Sequence, residues 1–130
     1  MDEKKIIQIA SDTEYFGLKN EYPLKAKVKN KVCGDEISVE VSNDIKSMRF
    51  ETEACIFTQA SAALLANHFK KFKSKDFSSF LNTIKDKLEG KKKDLPVKIK
   101  EFDLLLKQEN KARKECISLP FQAVIKAIHD

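Results

Sequence analysis

Hydrophobic and polar positions alternate early in the chain and then switch to a helical period. Leu24-Lys-Ala-Lys-Val-Lys alternates apolar side chains with lysine, the period of two expected of a half-exposed strand. Glu36-Ile-Ser-Val-Glu-Val alternates again, placing Ile37, Val39 and Val41 on one face. Ser42-Asn43-Asp44 is turn chemistry, and Ile45 to Thr52 reads as the returning strand. Met48 and Phe50 share a face there, while Ile45 is out of phase. A bulge or a turn edge is therefore expected near Lys46. The three runs together predict an antiparallel meander.

The helical segments lie mostly beyond Thr52. Before the meander, residues 4–11 form one short candidate helix. After it, Ile56 to Ala66 reads as a helix whose Ala60, Ala62, Ala63 and Ala66 allow close packing. The run Lys70-Lys71-Phe72-Lys73-Ser74-Lys75 reads as a loop. Phe77, Phe80, Leu81, Ile84 and Leu88 recur at helical spacing, with Asp76 as the expected N-cap and Gly90 as the stop. Lys91 to Asp94 is a linker. Phe102, Leu105 and Leu106 mark a short helix. Pro120 is expected in the first turn of a last helix, where proline is tolerated, and Phe121, Val124, Ile125 and Ile128 form its apolar stripe. Strands followed by helices predict an α+β two-layer sandwich. The expectation is a three-stranded antiparallel sheet packed by four to five helices, in one domain spanning residues 1–130.

Composition narrows the class. A chain of 130 residues with 42% hydrophobic content can bury an independent core. Its apolar runs are far shorter than the ~20 residues of a membrane helix. Met1-Asp2-Glu3-Lys4-Lys5 followed by Ile6-Ile7 is not a secretory signal. A cytoplasmic protein with reduced thiols is expected. The net charge of +5 is uneven: residues 1–66 carry 9 basic and 11 acidic groups, and residues 67–130 carry 16 and 9. All but two of the basic residues are lysine. Scarce arginine and the lack of interleaved aromatics argue against nucleic acid. A solvated lysine face comes first, and a docking surface for an acidic partner second.

The candidate chemistry is Cys33, Asp35, Cys55 and Cys116. Cys33 and Asp35 flank Gly34, where the chain can bend sharply. Cys55 and Cys116 each precede an apolar helical segment, and a helix N-terminus favours thiolate. Three soft thiolates and one carboxylate suit zinc or an iron–sulfur cluster. The spacing matches no zinc-finger pattern. Each cysteine alone also reads as a small buried hydrophobe, and Asp35 alone as a turn residue. His68 and His129 have no partner motif and are poor ligand candidates.

Three segments carry a resemblance. Val32-Cys-Gly-Asp-Glu-Ile-Ser-Val, Met48-Arg-Phe-Glu-Thr-Glu-Ala-Cys55-Ile-Phe-Thr-Gln-Ala-Ser-Ala and Lys114-Glu-Cys116-Ile-Ser-Leu-Pro-Phe-Gln-Ala resemble, in order, the three cysteine motifs of the NifU-like N-terminal (IscU/SufU-type) iron–sulfur scaffold family. The resemblance spans roughly residues 24–130 and implies a ligand set of Cys33, Asp35, Cys55 and Cys116. It implies a scaffold or carrier more than a true enzyme. Such a protein receives sulfur from a cysteine desulfurase, with Cys116 as sulfur acceptor, and holds a transient two-iron, two-sulfur cluster or zinc. Recipient apo-proteins or a carrier would be the onward partners.

The chain also departs from the family pattern. The proline usual in the first motif is absent, Asn30-Lys31-Val32 standing there. Ala54 replaces the glycine usual before the second cysteine. Glu115 stands where IscU-type scaffolds carry a histidine, and the long segment between the second and third cysteines resembles the SufU branch. Leu95-Pro-Val-Lys-Ile-Lys resembles a chaperone-binding peptide but ends 16 residues before Cys116, and it reads as coincidence. Three functions compete: a cluster scaffold, a zinc-bound sulfur acceptor (sulfurtransferase), and a non-catalytic zinc-binding interaction module.

Overall fold

The computed structural model describes residues 3–31 and 34–129. Strands β1 (Leu24–Lys29), β2 (Glu36–Val41) and β3 (Met48–Glu53) form an antiparallel sheet in the order β1-β2-β3. The alternating pattern sets the register. Val39 lies opposite Ala26 and Phe50, and Val41 opposite Leu24 and Met48, so the apolar side chains share one face. A slip of one residue would turn that face to water.

The β2–β3 turn explains why Ile45 breaks the alternation. Ile45 has φ 56°, a left-handed conformation that is rare for a β-branched residue. The Ser42 hydroxyl holds it there. Its oxygen accepts the N–H groups of Lys46 and Ser47, and the hydroxyl also bonds Asp44 Oδ1 at 2.7 Å. Strand β3 therefore starts at Met48, later than the sequence pattern suggested.

The described residues form five α-helices, α1 (Glu3–Ala10), α2 (Ile56–Asn67), α3 (Asp76–Leu88), α4 (Phe102–Leu105) and α5 (Lys114–His129), of which α5 and α2 pack on the sheet. Helix α2 lies between α1 and α5, while α5 also packs on β1, β2 and α3. That central position is why α2 is buried almost all round, from Phe57 to Ala66. Its alanines and Ser61 let the neighbouring helices approach closely.

The lysine run is only partly a loop. Phe69 begins a single 3₁₀ turn ending at Lys71, and Phe69 and Phe72 are each 1% exposed. They join Phe77, Phe80, Phe102 and Phe121 in an aromatic cluster. Phe72 stacks on Phe77 at 4.9 Å and Phe80 on Phe121 at 4.7 Å. The lysines between them stay in water.

Three local expectations change. Asp76 is the first residue of α3 and not its cap. Its carboxylate accepts the Lys73 N–H at 2.8 Å, closing the preceding turn. Gly90 does end α3, at φ 90°, with Gly90 N–H to Lys87 O and Lys91 N–H to Asp86 O. This is the paired closure that favours glycine after a helix. Pro120 lies inside α5, which already starts at Lys114. In the 95–100 segment, Val97 and Ile99 are buried and belong to the core, while Pro96, Lys98 and Lys100 are exposed. Among the described residues no helix is long and apolar enough to cross a membrane.

Candidate metal centre

Three of the four candidate donors come from different elements and meet at one end of the sheet. Asp35 immediately precedes β2, Cys55 caps α2 just after β3, and Cys116 lies in the first turn of α5. Their ligand atoms all lie within 4.8 Å of one another. Cys33 lies outside the described residues.

Each donor is placed by a local device. Gly34 has φ 79°, which a side chain would strain, and it turns the chain so that Asp35 faces inward. The hairpin there is tied by Asn30 N–H to Asp35 O and by Gly34 N–H to Asn30 O, both at 2.8 Å. Cys55 has an extended backbone at the start of α2, and its side chain makes no cap hydrogen bond. The sulfur is left facing the other donors. The Gln59 side chain holds the Ala54 carbonyl at 2.7 Å and steadies this junction.

Cys116 depends on Pro120. A proline has no N–H, so the carbonyl four residues earlier loses its helical donor. That carbonyl belongs to Cys116, and the Thr58 hydroxyl donates to it at 2.9 Å. The next carbonyl, Ile117 O, accepts the Ser61 hydroxyl at 2.7 Å. Helix α5 is thus pinned to α2 at the turn that carries the cysteine.

Electrostatics differ from the expectation of activated thiols. Burial pushes the Cys116 thiol well above its ordinary range, and neighbouring Cys55 and Asp35 push it further. Burial pushes the Asp35 carboxyl up, but hydrogen bonds from Thr58, Cys116 and Cys55 outweigh it and hold the group below its usual range. Without a cation the centre is therefore a carboxylate surrounded by thiol and hydroxyl donors.

The donor set fits a soft cation. Two sulfurs and one carboxylate are zinc or iron ligands. Zinc–sulfur bonds of about 2.3 Å imply tetrahedral edges of about 3.8 Å, so the donors need only close in modestly. Cys55 is the half-buried sulfur and lines an open groove of about 420 Å³ with Ile56, Phe57, Ala112 and Arg113. The Arg113 guanidinium lies 5.5 Å from the Phe57 ring centre, and Lys114 reaches Glu89 at 3.4 Å.

Thr58 was hidden in the sequence. It reads there as one more small residue of the helix after Cys55. The available signal was its spacing: three positions after Cys55, it comes one helical turn inside the same face.

No protein-family model matches the chain, and no curated protein sequence does. Solved structures do. The fold matches the N-terminal NifU-like protein of Brucella abortus with a TM-score of 0.77 at 24% identity, over 96% of this chain and 90% of that one. It matches the iron–sulfur cluster assembly scaffold protein for the SUF system from Fervidobacterium islandicum AW-1 with a TM-score of 0.77 at 19% identity, over 92% and 90%. A third structure, of a hypothetical protein, has a TM-score of 0.75 at 18% identity and full coverage of both chains. The chain therefore has the NifU-like N-terminal fold, which the three cysteine motifs had pointed to.

Proposed function

We propose that the chain is an iron–sulfur cluster assembly scaffold whose donors are Cys33, Asp35, Cys55 and Cys116. The observation that carries this reading is the meeting of Asp35, Cys55 and Cys116 within 4.8 Å, in a fold shared with two proteins described as NifU-like or as a SUF scaffold. Iron and sulfide are cargo in this reading. A cysteine desulfurase supplies the sulfur, recipient apo-proteins or a carrier take the product, and the reducing cytoplasm is the expected setting.

Each residue has a task. With a soft cation held by Cys33, Asp35 and Cys55, Cys116 would stand as a thiolate, because a metal-coordinated thiol is deprotonated. The resulting thiolate attacks the outer sulfur of a persulfide on the partner. A new sulfur–sulfur bond forms on Cys116 as the partner's bond breaks, and the partner leaves as a thiolate. Asp35 supplies one oxygen ligand among sulfurs, the most labile of the four, which suits hand-over. Arg113 and the groove beside Cys55 offer an approach for the partner.

A second reading is a zinc-bound sulfur acceptor. The observation favouring it is the donor set itself: two sulfurs and a carboxylate within 4.8 Å of one another suit a resident zinc ion. Anaerobic isolation followed by metal and acid-labile sulfide analysis separates the two. Iron with sulfide supports the scaffold. Tightly held zinc with stimulation of a desulfurase supports the acceptor. Structural zinc whose removal unfolds the chain, with no effect on a desulfurase, removes both. Cys116→Ser is expected to abolish persulfide capture with the fold intact; continued sulfur loading would move the acceptor role to Cys33 or Cys55.

A further inference from the structure

We propose that Thr58 is a positioning residue for this centre, its single hydroxyl proton shared between the Asp35 carboxylate and the Cys116 carbonyl. Thr58 is fully buried, and its Oγ1 lies 3.0 Å from Asp35 Oδ2 and 2.9 Å from Cys116 O. Cys55 Sγ is 3.9 Å from the same oxygen. One side chain thus touches all three described donor residues, from inside the helix that Cys55 caps.

A hydroxyl has one proton to give, and here two acceptors face it. Pro120 creates the competition, because it deprives the Cys116 carbonyl of the helical N–H it would otherwise have. Among the described residues, Thr58 is the side-chain donor to the Asp35 carboxylate that is not itself a candidate ligand. A hydrogen bond to the ligand that fixes its orientation is the usual second contribution a protein makes to metal affinity.

The inference rests on the metal reading above, and zinc and cobalt(II) binding test it without any cluster. Thr58→Val should weaken zinc binding, measured by competition with a chelator, by about tenfold to a hundredfold, while Thr58→Ser restores it. The cobalt(II) absorption bands of Thr58→Val should shift, reporting a changed oxygen ligand. With Asp35→Ala already present, the same substitution should change affinity by less than about threefold, because its target is gone.

Pro120→Ala guards against misfolding. It returns a helical N–H to the Cys116 carbonyl, so Thr58 is no longer needed to pin α5. Thr58→Val in that background should still lose about tenfold in zinc affinity relative to Pro120→Ala alone. Equal affinity in that pair, an undiminished loss in the Asp35→Ala background, or failure of Thr58→Ser to restore binding would each overturn the role. A wild-type chain that binds neither ion overturns the metal reading and this inference together. A wild-type chain that binds them, with a Thr58→Val chain that binds equally well, overturns this inference alone.

Discussion

Two regions of α5 are built on opposite terms. At Cys116 the helix faces Asp35, Cys55 and Thr58, a small buried polar group in which one hydroxyl serves two acceptors. One turn later, at Phe121, it faces Phe72, Phe80 and Phe102 with ring centres 4.7–6.2 Å away. The aromatic side is redundant: each ring has several partners, and their contribution scales with buried area. The polar side is less forgiving, because an unpartnered buried donor or acceptor costs its full desolvation. Pro120 stands between the two. It withdraws a helix bond at the polar end, while the aromatic end anchors the helix. The stability of the fold and the chemistry of the centre are therefore carried by neighbouring turns of one helix but by different forces.

The largest test of that division is Phe80→Ala. It removes the ring that touches Phe72, Phe102 and Phe121. Denaturant unfolding should show a loss of about 3–5 kcal/mol, while zinc affinity of the folded protein stays nearly unchanged. A matching collapse of metal affinity would mean that the two regions are one cooperative unit. Ser61→Ala comes next. It removes the hydroxyl that reaches the Ile117 carbonyl at 2.7 Å and should cost about 0.5–1.5 kcal/mol by the same measurement.

Alkaline pH probes the polar side. The folded state raises the Cys116 pKa above its unfolded value, so that stability is intact below the unfolded value of about 8.5 and declines as pH rises beyond it. Thermal melts of the metal-free chain should fall from about pH 8 to about pH 10. Zinc should flatten that decline, because the thiols then give up their protons to the metal in the folded state. A pH-independent melt of the metal-free chain would show that Cys116 is not held as a thiol. Asp35→Ala should slow cluster release in a transfer assay, since it removes the most labile ligand; faster release would reverse the role given to the oxygen. The smallest effect is expected at the exposed Lys27–Glu36 pair, 2.5 Å apart on the outer face of the sheet. Glu36→Gln there should leave the denaturant midpoint nearly unchanged, because solvent screens such a pair, a control for substitutions outside both regions.

Much of the architecture was legible from periodicity, because strand alternation and the helical stripe report which face is buried before any partner is known. The meander, the α3 stripe with its Gly90 stop and the last helix were all read in this way. The errors were local. Phe69 and Phe72 were lost in a lysine run, since charge density masks two apolar residues three positions apart. Asp76 and Pro120 were misplaced because helix ends depend on hydrogen bonds that composition does not record. The candidate donors were named from their residue types and motifs, but the expectation of acidic thiols failed for Cys116. A helix terminus is visible in sequence, whereas burial beside a carboxylate and a second sulfur is not.

The sequence by itself determined the period of each element, the order of strands and helices, and the soft donors available to the chain. Tertiary structure alone decided that Asp35, Cys55 and Cys116 meet at one corner. It also decided that the hydroxyl of Thr58 fills the gap Pro120 leaves. The reason is physical: periodicity is a property of neighbours along the chain, but a shared proton and a desolvated thiol exist only once residues tens of positions apart are packed together and water is gone.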